Sequence, residues 1–217
     1  MLTHYGQFFG TAEINSSFYR LPASTTLETW RDTTPPDFVF AAKASRYITH
    51  MRKLNDPKAS TVRFLARMRS LGKKLGPILF QLPPHWTFNE SRLAAFLDAL
   101  SDRLRYAFEF RDRSWLNDRA FELLAAHDAA LCIYDLEGFL SPQELTSNFA
   151  YVRLHGPSSA YRGSYDERTL RSWADKFAAW SAEGRSVYCY FDNDEAAHAV
   201  GDALRLQAMI KPTAMST

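Results

Sequence analysis

Glu109 and Arg111 lie two residues apart in the stretch RYAFEFR, and Arg153 and His155 lie two apart in FAYVRLH. If both stretches are β-strands, period-two geometry puts each pair on one face, opposite Tyr106, Phe108 and Phe110 or opposite Val152 and Leu154. The same alternation sets Glu13 and Asn15 against Ala12 and Ile14, Lys43 against Ala42 and Ala44, and Gln81 against Phe80 and Leu82. Two carboxylates such as Glu13 and Glu109 can work as general acid and base, or as a glycosidase pair, when their surroundings separate their pKa values. Their plainer use is an ion pair with Arg111, Arg153 or Lys43, because a buried charge needs a partner. Lys43 can be a desolvated base or a Schiff-base nucleophile, but a fixed positive charge for a substrate carboxylate or phosphate is the favoured reading. Arg111 and Arg153 suit bidentate anion binding. His155, followed by Gly156 and Pro157, is the stronger proton-transfer candidate, with a structural hydrogen bond as the alternative.

Glu13, Lys43, Glu109 and His155 are therefore the expected catalytic residues. Asn15, Tyr19, Gln81, Arg111, Asp135, Arg153 and Asn193 are the expected substrate contacts, each at or near the end of a predicted strand. Glu13, Glu109, Asp135 and His155 are also of the types that metal-dependent enzymes gather. Lys43, Arg111 and Arg153 in the same layer would repel a divalent cation, and there is no His-x-x-x-His spacing. No metal and no cofactor is expected. Phe18, Tyr19, Tyr47, Trp86, Trp115, Tyr134, Tyr161, Tyr165 and Tyr190 can wall a sugar or nucleobase pocket, although ordinary packing accounts for most aromatics.

The elements that must position these residues alternate. Strand-like segments are predicted at Thr11–Tyr19, Phe38–Ser45, Ile78–Leu82, Arg105–Arg111, Ala130–Asp135, Phe149–His155 and Ser186–Asn193. Helical stripes separate them: Pro57–Gly72; Leu93, Phe96, Leu97 and Leu100 after Asn89 and Ser91; Asn117–His127; Leu170, Trp173, Ala174 and Phe177 after Asp166; and Glu195–Ile210. Ser24–Arg31 is a shorter one. Strands alternating with amphipathic helices imply βα units and a parallel sheet. Nearly every strand carries a polar side chain near its C-terminal end. A TIM-type (β/α)8 barrel collects those groups at one mouth, whereas an open doubly wound sheet scatters them. The barrel is the expected α/β fold.

Composition narrows the field. The chain has 217 residues, 46% hydrophobic and 23% charged, enough for one sizeable core and too apolar for a disordered protein. Lys and Arg total 26 against 24 Asp and Glu, so the overall balance gives no reason to expect a nucleic-acid or membrane-surface partner. The basic stretch RYITHMRK at 46–53 is ordinary for a solvated loop. Cys132 and Cys189 are too few and too far apart for a disulfide framework or a cysteine zinc site, and they fit a reducing, cytoplasmic setting. No run approaches the ~18 apolar residues of a membrane span, and the N-terminus lacks a signal-peptide pattern. One domain over 1–217 is expected.

In order along the chain, TAEINSSFYRLP, FVFAAKASRYITH, GPILFQLPP, YAFEFRDRSW, YVRLHG and VYCYFDND resemble the strand motifs of the YecE-like domain-of-unknown-function family (DUF72). That resemblance implies a TIM-type barrel and leaves the activity open. It also implies a further strand with a Gly-Thr-Ser-Gly-Trp-like motif ahead of the Glu-Ile-Asn strand, with Met1–Gly10 as the tail of the helix between them. Seven of eight strands are thus expected, with a chain begun too late as the favoured cause. Thr11–Tyr19 and Ser186–Asn193 would be open edges that invite self-association. Where the family pattern has amides near the C-terminus, this chain has Asp192 and Asp202.

Together these readings predict an enzyme without a tightly held cofactor, acting on a small anionic or phosphorylated molecule by hydrolysis, lyase chemistry or isomerisation. In that reading Glu109 or Glu13 is the acid/base, Lys43 and Arg153 hold the anionic group, and His155 assists proton transfer. The alternatives are a non-catalytic metabolite or phosphate binder and a metal-dependent barrel hydrolase.

Overall fold

Branched and aromatic residues alternating with small or polar ones build the strands of the computed structural model, which describes residues 2–101, 103–157 and 159–210. They are β1 (Thr11–Ile14), β2 (Val39–Lys43), β3 (Leu75–Leu82), β4 (Tyr106–Phe110), β5 (Ala130–Leu136), β6 (Phe139–Leu140), β7 (Phe149–Leu154) and β8 (Ser186–Phe191). The helices are α1 (Leu2–Tyr5), α2 (Ser24–Thr33), α3 (Pro57–Met68), α4 (Glu90–Asp98), α5 (Asp118–Ala126), α6 (Glu167–Ala182) and α7 (His198–Met209). Asn89, Asn117 and Asp166 cap α4, α5 and α6 by accepting the backbone N–H three residues on, as their side-chain types require.

The hydrogen-bonded strand order is β1-β2-β3-β4-β5-β7-β8, with β6 paired to β5. β1 to β5 pair in parallel in succession, and so do β7 and β8. β1 to β5 follow one another through α2, α3, α4 and α5, β7 reaches β8 through α6, and β5 and β7 are linked by β6 and a loop instead of a helix; parallel strands in chain order are the plan of a TIM-type barrel, seven of whose eight strands occur among the described residues. β1 and β8 are the two ends of that order.

Residues up to Cys132 form one compact unit and those from Ile133 onward a second. In the first unit Phe40, Ala42, Ile78, Phe80, Leu82, Phe108 and Phe110 join Leu27, Phe64, Leu93, Phe96 and Leu124 of the helices in one core. In the second, Val152 and Leu154 pack with Leu170, Trp173 and Phe177 of α6 and Leu206 of α7. The helix-facing sides of the strands are thus the apolar sides, as alternation predicts, and the polar residues of β1 to β4 and β7 take the opposite side. A register shift between Phe40 and Ala42 leaves Lys43 on that polar side, opposite Leu79.

Three elements differ from expectation. β1 stops at Ile14 instead of running to Tyr19, because Asn15 turns to helical dihedrals and 16–18 form a 3-10 turn. Ser17 makes that turn by donating its hydroxyl to the Ile14 and Lys43 carbonyls, a local bond that competes with the ladder. β3 begins three residues early, at Leu75. Gly76 permits it: a Cβ there would meet Val39 Cγ1 at 2.3 Å. β5 continues past Asp135 into a hairpin with β6 over Glu137 and Gly138, both at positive φ.

Candidate functional site

In the first unit, parallel register sets Gln81 of β3 beside Glu109 of β4. Glu109 is completely buried. Its Oε1 accepts from Gln81 Nε2 at 2.9 Å and pairs with Arg111 Nε, and its Oε2 lies 3.9 Å from Cys132 Sγ. Gln81, Glu109 and Arg111 are therefore brought together. The Arg111 side chain keeps 13% exposure while that of Glu109 has none, so the carboxylate is the inner partner. A buried carboxylate that fixes one edge of a guanidinium can orient it for an anion.

Lys43 ends β2, half-buried, with Nζ 4.5 Å above the Phe18 ring. Phe18 sits in the turn that Ser17 ties to the Lys43 carbonyl, so the same bond that shortens β1 places the ring under the ammonium. The His50 ring meets Phe18 edge-on at 5.0 Å, and its Nδ1 is 2.9 Å from the Thr49 hydroxyl. His50 belongs to a π-helical turn, Tyr47–Met51, closed by an Arg52 N–H to Tyr47 carbonyl bond of 2.8 Å. Lys53, Leu54 and Asp56 follow at positive φ, an uncommon conformation for such residues that clusters at functional sites. Burial, then the charges of Lys43 and Arg46, hold His50 below the usual histidine range.

Glu13 and Asn15 are half-buried at the end of β1, and Tyr19 is 75% exposed beside Phe18. Glu13 and Glu109 lie on β1 and β4, with two strands between them in the order.

In the second unit Arg153 is the inner partner. Its Nη2 donates to Asp192 Oδ2 at 2.5 Å, with side-chain exposures of 2% and 16% respectively. His155 is fully buried, with Nδ1 3.2 Å from the same Asp192 oxygen and Nε2 3.5 Å from Arg153 Nη1. Asp135 joins from β5: its carbonyl accepts the His155 N–H at 2.9 Å, and its carboxylate bonds the Tyr165 hydroxyl. Burial raises Asp135 above the usual carboxylate range against the opposing pull of Tyr165 and His155. Burial and then the Asp135 charge raise Tyr165. Tyr165 Oη also accepts from the Gly156 N–H at 3.0 Å.

Asn193 is held elsewhere. Its Nδ2 donates to the Gly163 carbonyl and to Asp202 Oδ2, both at 2.8 Å. Asp202 also accepts from Ser164, the Tyr165 backbone and Arg205. Burial works against its charge, but these donors outweigh it and keep the carboxyl below the usual range. The signals for Asp192, Asp202 and Tyr165 were weak: each partner lies in a distant segment that only the strand register brings near. Among the described residues no group of three or more His, Cys, Asp and Glu side chains is arranged to hold a metal ion. No described helix is long and apolar enough to cross a membrane.

Residues 1–216 match the model of a family described as "Protein of unknown function DUF72". Over 113 residues the chain is 34% identical to the UPF0759 protein YecE of Escherichia coli, in both strain K12 and O157:H7. That match spans 51% of this chain and 41% of each relative. A crystal structure of a DUF72 family protein from Thermotoga maritima MSB8 superposes with a TM-score of 0.81 at 25% identity, covering 94% of this chain and 85% of that one. One from Enterococcus faecalis V583 gives 0.85 at 18% identity, covering 100% and 92%.

Proposed function

The chain belongs to the DUF72 family, and from that premise we propose that it is an enzyme without a tightly held cofactor whose substrate is a small anionic or phosphorylated molecule. The anionic group binds at the C-terminal ends of β2 and β4, to Lys43 and Arg111. The observation that carries this reading is the polarity of the Glu109–Arg111 pair, with the carboxylate sealed inside and the arginine the more exposed partner. Glu109, fixed by Gln81 and Arg111, positions the receptor, and Glu13 is the carboxylate assigned to proton transfer. Turnover would be hydrolysis, lyase chemistry or isomerisation.

A binder that performs no reaction is the second reading. It is favoured by the enclosure of Glu109, which leaves one carboxylate fewer for chemistry. Thermal melts against phosphorylated sugars, carboxylates and nucleotides test both readings, since a ligand stabilises the state that binds it. A rise in melting temperature with one anionic class, lost in Lys43→Met, supports the site. Product formation from that class, reduced in Glu13→Gln, supports the enzyme, and binding without product supports the binder. A rise unchanged in Lys43→Met, or no rise with any anion, overturns the site.

A further inference from the structure

α4 and α5 follow β3 and β4, the strands whose ends carry Gln81, Glu109 and Arg111, and the two helices pack together. Two ion pairs, each joining residues 29 apart in sequence, tie one helix to the other. Towards the N-terminal ends Arg119 Nε donates to Glu90 Oε1 at 2.7 Å. At the C-terminal ends His127 Nε2 lies 2.9 Å from Asp98 Oδ1. Asp98 is the last residue of α4, and His127 is the first beyond α5.

The way α5 ends makes the second tie. The Ala129 N–H turns back to the Leu124 carbonyl past Asp128, which has φ +48°, and the His127 N–H goes to Leu124 as well. In an unbroken helix that His127 N–H would serve the Leu123 carbonyl. The His127 ring does so instead, with Nδ1 2.9 Å from the Leu123 oxygen. A carbonyl oxygen has no proton to give, and neither has an ionised carboxylate. Both ring nitrogens thus face acceptors, and only the imidazolium, with a proton on each, makes both bonds. The end of a helix also favours a cation, because its last carbonyls carry partial negative charge. Burial works against the charge on His127, but the Leu123 carbonyl and then Asp98 outweigh it and raise the histidine above its usual range.

Among the described residues, the other charged side chains on these helices and the stretches after them are Glu90, Arg92, Arg103 and Arg105, then Asp118, Arg119, Glu122 and Asp128. Arg119 is engaged with Glu90 and Glu122, more than a turn from the histidine end. Asp98 is the acid that the ring bonds.

We propose that His127 is a pH-sensitive fastener, which as an imidazolium pins the C-terminal end of α5 to α4 and lets that end go when the ring loses its second proton. A group raised in the folded state contributes stability that is fully present below its unfolded pKa and is lost as the pH rises through the folded one. The Glu90–Arg119 tie stays, since a guanidinium keeps its charge. Rising pH therefore frees one end of the helix pair and not the other.

Ring NMR of the full chain reads the titration of His127, whose signals are those missing from His127→Gln. The expected midpoint lies above that of the histidines in the urea-unfolded chain. It falls in Asp98→Asn, which keeps an acceptor and removes the charge. Urea unfolding reads the fastening itself: Asp98→Asn should raise the unfolding equilibrium constant about two- to fivefold at about pH 5.5 and leave it nearly unchanged at about pH 9. Glu90→Gln is the contrast, with a deficit that is the same at both pH values. A midpoint at or below that of the unfolded chain, or one unmoved in Asp98→Asn, overturns the charged fastener. So does an Asp98→Asn deficit of equal size in acid and in alkali.

Discussion

Each unit places one buried ion pair at the C-terminal end of its strands, and the two pairs have opposite polarity. In the first, Glu109 is sealed and Arg111 keeps 13% exposure. In the second, Arg153 is 2% exposed and Asp192 16%. The spacing on β4 and β7 is the same, one charged side chain followed two residues later by a second polar group. What differs is the origin of the counter-charge. Arg111 follows Glu109 on its own strand, whereas Asp192 comes from the end of β8, where its N–H bonds the Leu154 carbonyl. The more exposed member of the pair is a cation in the first unit and a carboxylate in the second. Strand position alone does not set which member of an ion pair is the more exposed.

The sharpest way to break this comparison is to remove each outer partner. Asp192→Ala leaves a buried guanidinium facing His155 and should cost about 3–5 kcal/mol in denaturant unfolding. Arg111→Met leaves a buried carboxylate and should cost a comparable amount near neutral pH. The two must then diverge with acid. A stranded carboxylate can take up a proton, so the Arg111→Met deficit shrinks as the pH falls, while a guanidinium cannot give one up and the Asp192→Ala deficit stays. Parallel pH profiles for the two variants would contradict the assignment of inner and outer partners.

A smaller effect is expected at Asp202. Its folded-state pKa is depressed, so the stability it contributes is present above the unfolded aspartate pKa and lost as pH falls through the folded one. Asp202→Asn should cost about 1–3 kcal/mol near neutral pH and flatten the acid limb of the stability curve. Gly156→Ala is of similar size, about 1–3 kcal/mol. Gly156 has φ +117°, and a Cβ would lie 2.4 Å from the Arg162 carbonyl oxygen. The melting temperature of that variant checks it.

Much of this was legible in the sequence, and for one reason. Period-two alternation is set by strand geometry, so Phe108 and Phe110 share one face and Glu109 takes the other, and burial of the aromatics fixes the register that turns them to the helices. That sufficed for the barrel plan, for the polar face and for Glu109 with Arg111. The resemblance in motifs such as TAEINSSFYRLP and YAFEFRDRSW located the family. The end of β1 was not legible, because Ser17 bonds the carbonyls of Ile14 and Lys43, and the second lies 26 residues away. The partner of Arg153 was hidden for the same cause, since Asp192 is 39 residues distant. His50, in the loop stretch RYITHMRK, could be placed near the strand ends and no further. Its contact with Phe18 joins two separate segments and so could not be read from either.

The central claim is that the first unit presents cations to a small anion. Titrating sulfate into the wild-type chain, Lys43→Met and Arg111→Lys at low ionic strength tests it most directly. The account predicts saturable binding by the wild type, weakened at least about tenfold in Lys43→Met and to a lesser degree in Arg111→Lys, which keeps the charge and loses the fork. Equal affinity in all three proteins, or no saturable binding in any, would contradict it.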